Sequence, residues 1–119
     1  MKFSAILVIF AIFALLAIDV SAKKKSCIQK LNALDAKASN KKFKKLTPDS
    51  PCTTNEVACI NGKFAKCDQS KFVLFECGPT LSCFALPLVN SRGTSVTCDT
   101  TSDAKQRIAL AFQCRGFTG

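Results

Sequence analysis

The sequence predicts a small disulfide-rich α+β fold: an antiparallel β-meander of about four to five short strands, with an N-terminal helical segment and a C-terminal helix. Three observations predict it. All eight cysteines of the 119-residue chain lie between residues 27 and 114, an even count that reads as a disulfide framework. The step Asn61-Gly62 divides two β-rich runs, EVACI and KFAKC, which is the strongest short hairpin signal. Two segments, residues 27–46 and 103–112, instead repeat their apolar residues at helical spacing.

Residues 1–22, MKFSAILVIFAIFALLAIDVSA, read as a secretory signal peptide. Lys2 precedes fourteen apolar residues from Ala5 to Ile18, and Val20-Ser21-Ala22 supplies the small residues of a cleavage site. An apolar run of this length is short for a bilayer span. The expected mature chain is therefore Lys23–Gly119, secreted, extracellular, monomeric and without an integral membrane segment. It divides into a lysine-rich helical lead-in over residues 23–50 and a cysteine-rich body over residues 51–119.

The lead-in CIQKLNALDAKASNKKFKKL places apolar side chains at 27, 28, 31, 34 and 38, with drift to 43 and 46, which assigns them to a buried helix face. Lysines 30, 37, 41, 42, 44 and 45 fill the remaining face, Asn40 marks a candidate break, and Thr47-Pro48 ends the helix. Beyond it, a two-residue turn at Asn61-Gly62 pairs Val57 with Lys66, Cys59 with Phe64 and Ile60 with Lys63. That register puts Cys59 and Cys67 on opposite faces, so they are not expected to bond to each other. A second turn at Gln69-Ser70 aligns Asp68 with Lys71, Phe64 with Phe75 and Lys63 with Glu76. Cross-strand charge and aromatic pairs each contribute about 0.2–1 kcal/mol, and here they agree on one register.

One sheet face then carries Val57, Cys59, Phe64, Val73, Phe75 and Cys77; the other carries Ala58, Ile60, Ala65, Cys67, Phe72 and Leu74. Phe72 and Phe75 lie on opposite faces, so at least one of them is expected to be partly exposed. Gly78-Pro79 turns the chain, and Cys77–Cys83 is a candidate pair across that short loop. The run CFALPL is extended, with Pro87 confining it to an edge or a strand end. The turn Asn90-Ser91-Arg92-Gly93 leads into TSVTCD, and Thr100 with Asp103 opens the last helix, DAKQRIALAF.

Several function classes recede on composition. The chain has no histidine and no Cys-x-x-Cys, so the usual zinc patterns are absent and no metal or cofactor is expected. It also lacks the Cys-Cys pairs of hydrophobins and lipid-transfer proteins. The carboxylates of the body are Glu56, Asp68, Glu76, Asp99 and Asp103, and the pairings above occupy Asp68, Glu76 and Asp103, which argues against a catalytic pair in a cleft. Residues 23–50 hold nine lysines against Asp35 and Asp49, a net of +7, whereas residues 51–119 carry only +2. Basicity thus belongs to the lead-in, where it suits an anionic surface or a solvated helix; nucleic acid is not an expected partner. An alternative reading follows, a cationic disulfide-stabilised protein acting on membranes or host targets through this helix.

The order of ACINGKFAKC, KFVLFEC, CFALPLVNSRGTSVTCDT and DAKQRI resembles a family 19 carbohydrate-binding module, the chitin-binding domain known mainly from fungi. The likeness covers roughly residues 50–110, and the lead-in is similar to that of short secreted single-module members. The resemblance implies binding of chitin or chitooligosaccharide at a fungal cell wall, with no catalysis by the module. It also leaves Cys27 and Cys114 outside the module as an extra pair. Chitin-binding modules usually stack sugars on Trp or Tyr, and this chain has neither. The candidate sugar contacts are therefore Asn61, Phe64, Phe72, Phe75 and Asn90.

Overall fold

The computed structural model describes residues 27–114; the expected signal peptide at residues 1–22 lies outside the described residues. Two helices and five strands follow in the order α1 (Ile28–Phe43), β1 (Val57–Ile60), β2 (Lys63–Asp68), β3 (Lys71–Phe75), β4 (Ser82–Pro87), β5 (Thr94–Asp99) and α2 (Thr101–Phe112). The strands form an antiparallel three-stranded meander, β1-β2-β3, and a separate two-stranded hairpin, β4-β5. The expected α+β class and strand number therefore hold, with the strands divided between two sheets.

Both meander turns set the expected register. Asn61 and Gly62 have φ of 54° and 78°, and Gln69 and Ser70 have φ of 51° and 71°. Positive φ at both central residues is the geometry whose twist matches flanking antiparallel strands. Val57 faces Lys66, Cys59 faces Phe64, Phe64 faces Phe75 and Asp68 faces Lys71. Lys63 Nζ lies 3.0 Å from Glu76 Oε1. The inner sheet face of Ala58, Ile60, Ala65, Cys67 and Phe72 is buried, with Phe43 and Leu46 from the end of α1 packed against it.

Helix α1 departs from the sequence expectation in which face it buries. Its buried residues are Asn32, Ala33 and Ala36, whereas Ile28, Leu31 and Leu34 are exposed at 51%, 39% and 48%. Small side chains let the helix backbone approach its neighbours closely, and polar contacts then fix it there. The Asn32 side-chain Nδ2 donates to Leu88 O at 2.9 Å and to Ser91 O at 2.8 Å. Its Oδ1 accepts from Gly93 N at 2.8 Å and from Arg92 Nη1 at 2.8 Å. All four hydrogen-bonding positions of the amide are filled. Gly93 has φ of 131°, and a Cβ there would meet Leu88 Cδ1 at 3.3 Å, so this loop needs glycine for both conformation and space.

No helix break occurs at Asn40. Its side chain behaves like a strand edge: Nδ2 donates to Ala85 O at 3.0 Å, and Oδ1 accepts from Ala85 N at 2.8 Å. Two asparagines on α1 thus secure one hairpin, Asn32 at its loop and Asn40 at the middle of β4. The helix starts at Cys27, whose Sγ accepts from Lys30 N at 3.3 Å. Helix α2 begins as expected, with Thr100 Oγ1 accepting from Asp103 N at 3.2 Å.

Four disulfides connect Cys27–Cys114, Cys52–Cys67, Cys59–Cys83 and Cys77–Cys98. The candidate Cys77–Cys83 pair does not form. Cys83 lies opposite Cys98 in the second hairpin, and the two take separate partners in the meander. Both crosslinks therefore hold sheet to sheet, where a Cys77–Cys83 bridge would close only a local loop. Cys59 and Cys67 are not bonded to each other. In the chain-entropy picture even the shortest bridge, with a sequence separation of 15, contributes about 3 kcal/mol.

Three outcomes are expected. Replacing Asn32 by Ala strands the Gly93 N–H and two loop carbonyls, and should cost about 2–4 kcal/mol. Removing the exposed Arg92–Asp35 ion pair, 2.6 Å long, by Asp35→Ala, which leaves the Arg92 bond to Asn32 in place, should cost under about 1 kcal/mol. Thermal unfolding of the oxidised chain compares them. Proteolysis without reduction, followed by mass mapping, should recover Cys59–Cys83 and Cys77–Cys98 peptides and no peptide linking Cys77 to Cys83.

Candidate binding surfaces

The outer face of the meander collects one surface. Strand alternation and register place Val57, Phe64, Lys66, Val73 and Phe75 there. The Phe64 and Phe75 rings lie 6.3 Å apart, tilted at 51°, within the range of favourable edge-to-face contact. Val57, Val73 and Phe75 are 39%, 43% and 51% exposed. Three large apolar side chains are thus exposed on this face, with Lys66 between the valines, while Cys59 on the same face is buried and bonded to Cys83.

A second surface is concave. A groove of about 930 Å³ runs between α1, the Asn61-Gly62 turn, the start of β4 and α2. Its floor includes Phe43, Leu46, Phe84 and Ile108, all half-buried, and its rim carries Lys37, Lys41, Lys44 and Lys105. The volume falls in the range of ligand-holding clefts. A hydrogen bond from Cys83 N to Gly62 O at 3.0 Å and the Cys59–Cys83 bridge hold the turn against β4, which fixes this end of the groove.

The sequence-derived sugar contacts separate on these surfaces. Phe64 and Phe75 come together on the outer face. Asn61 lines the groove. Phe72 is 7% exposed in the core and leaves the candidate set, because its ring packs under the meander. Asn90 is exposed in the loop after β4, and strand rise from Cys83, held at the Asn61-Gly62 turn, to Pro87 puts the start of that loop about 13 Å from the Asn61 end. Sequence reasoning missed Phe43 and Phe84 as groove residues. Phe84 had a signal, since it follows Cys83 in a strand held at the turn, but only the disulfide pairing reveals which neighbour it faces.

A smaller cavity of about 310 Å³ lies between Gln29, Leu88, Val89 and α2, with Asp103 and Arg107 in its wall. The Asp103 carboxyl titrates above its ordinary value, first through a hydrogen bond with Asp99, then through desolvation and the Asp99 charge, with Arg107 opposing. Among the described residues no group of three or more His, Cys, Asp or Glu is arranged to hold a metal. No helix among them is long and apolar enough to cross a membrane.

No protein-family model matches the chain, and no solved structure matches it. A stretch of 42 residues, 34% of the chain, is 48% identical to an endochitinase of Saccharomyces cerevisiae. The match spans 8% of that enzyme's length. The similarity is therefore to a small portion of a chitin-related protein.

The two phenylalanines of β3 should respond oppositely to truncation. Phe72→Ala removes a core ring and should cost about 3–5 kcal/mol in denaturant unfolding. Phe75→Ala should cost under about 1 kcal/mol, as expected of a half-exposed side chain. Similar losses for both would mean that the outer face is packed rather than open.

Proposed function

We propose that this chain is a secreted, non-catalytic chitin-binding protein of the family 19 carbohydrate-binding type, acting at a cell wall by adhesion. The observation that carries this reading is the 42-residue stretch that is 48% identical to a yeast endochitinase. The four disulfides support an oxidising, extracellular setting.

The outer meander face supports a contact surface. The exposed Phe75 ring, with Phe64 beside it, can lie against the C–H faces of the sugar rings of an insoluble polysaccharide. The sheet holds that pair in place before contact, so little side-chain freedom is lost on binding. Amide groups of N-acetylglucosamine can then pair with Lys66, which lies on the same face between the valines.

The oxidised protein should be retained on chitin beads, released by soluble chitooligosaccharide, and retained less by cellulose or xylan. Phe75→Ala should weaken retention about tenfold, equivalent to about 1.4 kcal/mol, while leaving unfolding nearly unchanged. Elution with the unbound fraction at every salt concentration overturns the proposal. Release of reducing sugar from chitin by the purified protein overturns its non-catalytic part.

A further inference from the structure

The lysine-rimmed groove is a different chemical environment from the outer face, and neutral chitin makes no use of its charge. Lys37, Lys41 and Lys44 follow one another along α1, and Lys105 faces in from α2. At the helical rise of about 1.5 Å per residue, Lys37 and Lys41 on α1 and Lys44 at its C-cap extend over roughly 10 Å. No carboxylate is among the described residues that line the groove, and none of its four lysines is in an ion pair with another described residue. Lys37 Nζ sits 5.3 Å from the centre of the Phe112 ring, a cation–π contact that holds one ammonium at the rim in advance. Below the charges, Phe43 and Phe84 supply ring surface, and the exposed amide of Asn61 closes one end.

We propose that this groove binds an acidic oligosaccharide, a chain of sugars bearing carboxylate or sulfate groups, laid along α1. A row of three ammoniums with a fourth opposite fits a ligand that repeats its negative charge along its length. An amphiphile with a single anionic head would engage one or two of them. The phenylalanine floor suits the C–H faces of sugar rings, and the groove's open side admits a chain laid along α1. A protonated polyamine such as chitosan meets like charge there and is excluded. The inference stands on the groove and is independent of the chitin reading.

Titration calorimetry of the oxidised protein with oligogalacturonate and with a sulfated oligosaccharide tests it. At least one should bind, with affinity falling steeply as salt rises. The double substitution Lys41→Gln/Lys44→Gln should lower affinity by about tenfold or more, and Phe84→Ala should lower it without changing the salt dependence. Lys71→Gln, on the meander outside the groove, should leave it unchanged, as should Phe75→Ala. Chitin retention should in turn survive Lys41→Gln/Lys44→Gln, so the two sites fail separately. An equal loss with Lys71→Gln overturns the proposal, because it would indicate diffuse charge attraction. Binding of phosphatidylserine vesicles through Ile28, Leu31 and Leu34, with neither oligosaccharide bound, overturns it in favour of a membrane partner.

Discussion

The fold depends on one buried amide. Asn32 is fully buried, and its side chain supplies both donors and both acceptor positions to the loop between β4 and β5. That loop has few partners of its own beyond the Leu88 N to Gly93 O bond of 3.1 Å. Without the amide its inward-facing polar groups would be desolvated with nothing to pair with. A buried amide is stabilising only when every position is satisfied, so the loop must take one conformation and α1 must lie at one height against it. Asn40, pairing with both backbone groups of Ala85, repeats the constraint farther along the helix.

Once α1 is held by asparagines and alanines, its large side chains have to go elsewhere. Ile28, Leu31 and Leu34 turn to solvent, and Lys37, Lys41 and Lys44 come to border the groove against α2. Polar attachment on one side thus creates the charged and apolar surfaces on the others. A helix packed by its leucines would have rolled those lysines away from Phe84.

The disulfides act at a coarser level. The two sheets share little backbone pairing, and Cys59–Cys83 and Cys77–Cys98 join them at the same end of the meander. Cys52–Cys67 secures the incoming loop to β2, and Cys27–Cys114 ties the start of α1 to the end of α2. Each bridge connects different parts of the fold. In so small a chain such crosslinks supplement a core made largely of alanine, cysteine and a few larger residues.

The sequence by itself determined the meander: its two turns, its register, the opposite facing of Phe72 and Phe75, and the Thr100 cap of α2. These are local matters, because a two-residue turn fixes which residues oppose each other and strand alternation then sorts the faces. Only the tertiary structure decided which face of α1 is buried, how Cys59, Cys77, Cys83 and Cys98 pair, and that Asn61, Phe43 and Phe84 border one groove. Helical periodicity identifies an apolar stripe but carries no information about a distant loop whose unpaired backbone groups need an amide more than the core needs three aliphatic side chains. That requirement comes from residues about 60 positions away in the chain, and chain folding alone brings them together.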